Sequence, residues 1–180
     1  MRIIKEHSAG LIIDIQERLH PHMYHHDQLE INTEILIKGL KLLEIPILVT
    51  EQYPKGLGLT IPSLREILEN YAALGKMSFS CCDDPAFEIE LNKTGKTQLI
   101  IAGIEAHVCV LQTVVDLLEF GFQPVVVADC VSSRKESDKI IALERMRQEG
   151  AIITSFESLL FELARVSGTA TFKEISALVK

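Results

Sequence analysis

The chain has 180 residues, of which 47% are hydrophobic and 24% charged, with a net charge of −7. That is length enough for one domain, residues 1–180, with a real core, and too apolar a composition for a disordered segment. The negative balance and the lack of any Lys/Arg run argue against a nucleic-acid partner, and no apolar run approaches the ~20 residues that cross a bilayer.

The N-terminus, MRIIKEHSAG, has no long apolar region before a small-residue cleavage site, so no signal peptide is expected. Cys81, Cys82, Cys109 and Cys130 form no C-x-x-C pair, and adjacent Cys81 and Cys82 are poor disulfide partners. A reducing cytoplasm is the compartment this pattern predicts.

SAGLIIDIQ, residues 8–16, predicts a short buried strand ending in Asp14 and Gln16. A carboxylate at the carboxyl end of a first strand lies where open α/β sheets place their sites, although a strand-end turn uses the same residue type. HPHMYHH then carries His20, His22, His25 and His26. Pro21 interrupts any helical pairing of these imidazoles, so the run predicts a solvated loop rather than a metal site. Apolar spacing predicts a helix over residues 28–44, and IPILVT, residues 45–50, a second buried strand. EQYPKGLGLT follows as a shaped loop; its glycines lack the spacing of a phosphate-binding fingerprint.

Residues 63–70 predict a short helix, followed by LGKMSFS, where Lys76 stands among apolar neighbours. A lone lysine is most often a solvated charge. Asp84-Pro85 reads as an N-cap with proline at the first helical position, opening a helix to about Leu91. Next comes the stretch around which the chain is organised, QLIIAGIEAHVCVLQTVVDLLEFGF. It opens as a strand buried on both faces and closes as an amphipathic helix. Cys109 falls at or just inside that helix N-terminus, where free N–H groups favour a thiolate; a buried cysteine acting as a small hydrophobe is the alternative. QPVVVA, residues 123–128, is a further strand, with DCVSS at its carboxyl end. Residues 137–149 predict a helix closed by Gly150, 151–154 a short strand, and 156–166 and 172–179 two helices. The alternation gives a three-layer α/β/α sandwich around a parallel sheet.

Asp14, Lys76 and Cys109 thus lie near the carboxyl ends of successive strands, and right-handed crossovers gather such ends on one edge. A carboxylate to take the thiol proton and an ammonium to hold charge make a plausible nucleophilic site. Main-chain N–H groups near Cys109 would bind the oxyanion, a contribution of about 3 kcal/mol per donor.

The combination LIIDIQ, TEQYPKGLG, Lys76 before SFS, and GIEAHVCV closely resembles the isochorismatase-like cysteine hydrolase superfamily. SSRKESDKIIALERMRQEGAIITSFESLLFEL is similar to the C-terminal signature of its small isochorismatase-domain proteins. The resemblance implies a Rossmann-like, six-stranded parallel sheet and a catalytic triad on Cys109, Asp14 and Lys76. It also implies oxyanion donors on the main-chain N–H groups of Glu105 and Cys109, a non-proline cis peptide at Ile104–Glu105, and homo-oligomers of dimer size or larger. Gln16 and Ile104 are the further candidates for contact with substrate. The family's metal-binding nicotinamidases carry Asp-x-His after the second strand; here Glu51, Gln52 and Tyr53 occupy that region, so neither metal nor other cofactor is expected. True isochorismatases cleave a vinyl ether without a cysteine nucleophile, so Cys109 points instead to a C–N bond beside a carbonyl, as in a small amide. The expected function is a metal-independent cysteine hydrolase of small molecules. A thiol redox sensor using Cys109 with Cys81, Cys82 or Cys130, and a non-catalytic interaction protein of the same fold, are the competing readings.

Overall fold

A computed structural model describes residues 1–69 and 71–180. Its elements in order are β1 (Ser8–Ile13), α1 (His26–Leu42), β2 (Ile47–Gln52), α2 (Pro54–Leu57), α3 (Pro62–Leu68), β3 (Leu74–Lys76) and α4 (Pro85–Thr94). Then come β4 (Gln98–Ile104), α5 (Leu111–Glu119), β5 (Gln123–Ser132), α6 (Glu136–Glu149), β6 (Ile152–Thr154), α7 (Phe156–Ala164) and α8 (Ala170–Leu178). The six strands form one parallel sheet in the order β3-β2-β1-β4-β5-β6. The order reverses between β1 and β4, and the crevice at such a switch point is where α/β sheets hold ligands.

Period-2 alternation divides the core between the sheet's two faces. Ile12, Leu36, Ile37, Leu40, Leu159 and Leu160 pack on one side. Leu11, Ile13, Val110, Val114, Leu117 and Met146 pack on the other. Asp84 caps α4 by accepting from Ala86 N–H at 2.9 Å, with Pro85 in the first turn. Gly150 ends α6 at φ 114°. Both follow the local chemistry that the sequence announces.

Most element ends shift from expectation by one to three residues, and four differences bear on the site or the loops around it. β1 stops at Ile13, because Asp14 turns out of the sheet at φ 54°, a left-handed conformation that Asp tolerates better than most residues. The loop after β2 folds into the short α2. β5 continues through Ser132: its register with β4 shifts between Ile101 and Gly103, and pairing resumes as Gly103 with Val131. The irregular stretch is tied down by Asn32, which donates to Asp129 O at 2.8 Å, and by Asp129 Oδ1, which accepts from Phe156 N–H at 2.9 Å. The helix expected over 63–70 runs from Pro62 to Leu68; its expected end at Asn70 lies outside the described residues.

The histidine run is anchored at His20, while His22 and His25 stay exposed to solvent as expected. His20 is buried, with Nε2 3.0 Å from His26 O and 3.6 Å from a Glu30 carboxylate oxygen, and Met23 enters the core. Pro21 sits in the first turn of a 3-10 helix over His20–His22, and that turn points His20 inward.

Candidate active site

The parallel register places β1 between β2 and β4, pairing Ile13 with both Thr50 and Gly103. Asp14, the next residue, emerges at the middle of the carboxyl edge and is fully buried. Its Oδ1 accepts from Thr50 Oγ1 at 2.7 Å, and its Oδ2 accepts from Lys76 Nζ at 2.7 Å. Lys76 reaches it because β3 pairs with β2 through Gln52 and Lys76. The same ammonium donates to Gln52 Oε1 at 2.8 Å and to the carbonyls of Phe79 and Ser78 at 3.1 and 3.2 Å. Burial alone would lower the Lys76 pKa, but the charges of Asp14, Cys81 and Cys109 outweigh it and raise the value above 10.5. Lys76 is therefore a buried, charged, fully engaged cation, not the solvated charge of the ordinary lysine.

Cys109 lies in a π-helical turn, Ala106–Val110, between β4 and α5. The turn is closed by Val110 N–H donating to Glu105 O at 3.3 Å, with Val108 N–H donating to the same carbonyl at 3.0 Å. Such single π turns recur at functional sites. Ile104–Glu105, immediately before it, is a cis peptide. The Cys109 side chain is nearly buried and lies close enough to Asp14 for the carboxylate to act on its thiol. Burial pushes its thiol up to about 12, with the Asp14 charge adding and the Lys76 charge opposing. A helix N-terminus and a nearby cation predict the reverse shift. The difference arises because burial disfavours the thiolate and the Lys76 ammonium already neutralises Asp14. The site thus sets a thiol that burial holds in its neutral form beside the Lys76–Asp14 pair.

Of the further expected contacts, Gln16 has its amide fully used: Nε2 donates to Gln52 O at 2.9 Å and Gly58 O at 2.7 Å, and Oε1 accepts from Gln52 N–H at 2.7 Å. It pins the loop after β2 rather than presenting free polar groups. The Ile104 side chain belongs to the core, which leaves its main chain alone to meet a ligand. From sequence, Thr50 has no role, Gln52 only that of a missing metal ligand, and Cys81 only that of a resolving thiol in the redox reading. Thr50 orients Asp14, Gln52 supports Lys76, and the buried Cys81 Sγ stands 3.8 Å from Thr50 Oγ1, its thiol pushed up to about 11 by burial and the Asp14 charge. Thr50 and Gln52 were findable, since both lie at the carboxyl end of a strand beside β1. Glu51, between them, is buried on the other face and accepts from Thr60 N–H at 2.7 Å and Thr60 Oγ1 at 2.9 Å. Among the described residues, no three His, Cys, Asp or Glu side chains are grouped to hold a metal ion, and no helix is long and apolar enough to cross a membrane.

Comparison with known proteins agrees with this architecture. The family profile described as Isochorismatase domain matches residues 8–158. Isochorismatase domain-containing protein 2A of Mus musculus is 40% identical over 182 residues, spanning 99% of this chain and 85% of the mouse protein. A solved structure described as the MAR1 ribonuclease of Caenorhabditis elegans superposes with a TM-score of 0.93 at 42% identity, covering 99% of this chain and 92% of that one. The YcaC product of Escherichia coli, described as an octameric hydrolase of unknown specificity, superposes with a TM-score of 0.93 at 26% identity, covering 99% and 90%. On these matches the chain belongs to the isochorismatase family and has its hydrolase-type α/β fold.

Proposed function

We propose that this protein is a metal-independent cysteine hydrolase that cleaves the C–N bond of a small amide-like molecule, with Cys109 as nucleophile, Asp14 as proton carrier and Lys76 as their electrostatic support. The observation that carries the reading is the buried Lys76–Asp14 pair at 2.7 Å, with the nearly buried Cys109 thiol beside the same carboxylate. A buried ion pair is a poor stabilising device compared with apolar packing, so its place at the strand-order switch favours a chemical use.

As the Cys109 sulfur attacks the substrate carbonyl carbon, its proton passes to Asp14. The carbonyl π electrons move to oxygen, and the main-chain N–H groups of Glu105 and Cys109 stabilise that oxyanion. Collapse of the tetrahedral intermediate breaks the C–N bond, and the leaving nitrogen takes the proton from Asp14. Water then attacks the thioester with Asp14 as general base, releasing the carboxylic acid and restoring the thiol. Lys76 pairs with Asp14 in the resting state and offsets the negative charge that develops during attack. The whole chain acts as one catalytic domain in this reading, and its four free cysteines suit a reducing cytoplasm.

The nematode relative's ribonuclease description does not carry over well. A phosphodiester reaction needs cations free to meet phosphate, whereas Lys76 is engaged by four acceptors and the chain carries a net charge of −7. The test is a hydrolysis screen of small amides and imides with wild type beside Cys109→Ala, each with and without EDTA. Turnover that survives in Cys109→Ala, or that disappears with EDTA and returns with zinc, would sink the reading.

A further inference from the structure

Glu105 stands just before the π turn, and its side chain is only 8% exposed. One oxygen, Oε1, accepts from Arg134 Nη2 at 2.9 Å and Nε at 3.2 Å. The other, Oε2, is buried without a hydrogen-bond partner. The nearest candidate donor, His107 Nδ1, is 4.0 Å away and lies 2.9 Å from Ser133 Oγ instead; His107 Nε2 is 4.0 Å from Asp138. Among the described residues, Arg134, between β5 and α6 and 67% exposed, is thus the one strong counter-charge of this buried carboxylate. The contact also holds the Arg134 pKa above its ordinary value. No step of the mechanism uses it.

We propose that Arg134 is a positioning residue of the Cys109 site: its fork on Glu105 Oε1 fixes the peptide that carries an oxyanion donor and cancels a negative charge on that same residue. The inference rests on reading Cys109 as the nucleophile. The Glu105 carbonyl already anchors the turn through Val108 and Val110 N–H, so the side-chain clamp leaves the residue held at both ends. Without Arg134, an uncompensated buried carboxylate sits beside a developing oxyanion, and like charges in a dry site repel strongly. The penalty falls on the transition state, where the second negative charge appears.

Two reagents for the same thiol separate this from a general structural role. Acylation of Cys109 by p-nitrophenyl acetate passes through a tetrahedral oxyanion; alkylation by iodoacetamide displaces iodide and never forms one. Both need the thiolate, so their rate ratio cancels changes in thiol ionisation. In the full chain, Arg134→Gln should lower the acylation-to-alkylation ratio by about 10- to 100-fold. Arg134→Gln/Glu105→Gln, which removes both the cation and the charge it cancels, should recover the ratio to within about threefold of wild type. Equal loss of both rates in Arg134→Gln, or a double variant no better than the single, overturns the proposal and leaves Cys109 as nucleophile. Failure of both reagents to modify Cys109 in wild type overturns the nucleophile reading and this inference together.

Discussion

Lys76→Met removes one partner of a buried pair whose side chains are 1% and 0% exposed. It leaves Asp14 Oδ2, Gln52 Oε1 and the carbonyls of Ser78 and Phe79 without their shared donor. Breaking a buried pair on one side costs about 3–5 kcal/mol, a large share of a total stability of about 5–15 kcal/mol. With a urea slope of about 2 kcal/mol/M, the unfolding midpoint should fall by about 2 M. Lys76→Met/Asp14→Asn removes both charges at nearly constant volume and keeps the Thr50 hydrogen bond, so it should recover all but about 1–2 kcal/mol. Alkaline pH supplies a second arm. Because the folded-state pKa of Lys76 is raised above 10.5, its contribution is complete below the unfolded value and is lost as pH rises through the folded one. Wild type should therefore lose stability above about pH 10.5 by a margin that Lys76→Met does not show. Equilibrium urea unfolding at pH 7 and across the alkaline range reads both arms. A single variant within about 1 kcal/mol of wild type at pH 7 would mean that Lys76 does not compensate Asp14, and the charge argument for the site would fall with it.

Asp14→Asn should lower amide turnover at least about 100-fold, measured as kcat on any substrate found by the screen. With the Cys109 thiol held near 12, its alkylation by iodoacetamide should rise about tenfold per pH unit from pH 7 to 9; a plateau below pH 8 would refute a neutral resting thiol. Tyr53, Leu59, Met77 and Phe79 are all exposed near the carboxyl edge, so light scattering at micromolar concentration should give a dimer or larger assembly. Gly103→Ala should destabilise by about 1–3 kcal/mol, because the added Cβ would lie 2.5 Å from Ile13 O. Gly75→Ala, whose Cβ would meet Pro54 no nearer than 3.4 Å, should stay within about 0.5 kcal/mol of wild type in the same urea assay.

The sheet was legible because its strands are short apolar runs between strong punctuation, and the parallel crossover rule does the rest. Residues Leu99–Ala102 read as doubly buried because they are. Asp84-Pro85 and Gly150 read as helix ends because their chemistry is local. Boundaries failed where tertiary contacts override that chemistry. β5 extends past Ala128 because Asn32 and Phe156, distant in sequence, hold Asp129, and His20 is buried because His26 and Glu30 offer it partners. Neither partner is visible in a local window.

The site divides along the same line. Asp14 and Cys109 could be placed from strand ends alone, since β1 and β4 adjoin and their last paired residues, Ile13 and Gly103, stand side by side in the sheet. That pairing demands a glycine: with φ 154° and the Ile13 backbone within 3 Å of any Cβ, a side chain at residue 103 would part the strands one residue before Asp14. Lys76 is two strands away, and its reach depends on Gln52, which a motif search treats as a missing metal ligand. The protonation state was the least legible feature. Sequence shows a thiol near a cation and a helix start, which suggests a thiolate. The fold adds burial and gives the cation to Asp14, and those two facts reverse the sign. In the proposed reaction the proton therefore moves during attack rather than leaving the thiol beforehand, and Asp14→Asn should cost more rate than Lys76→Met.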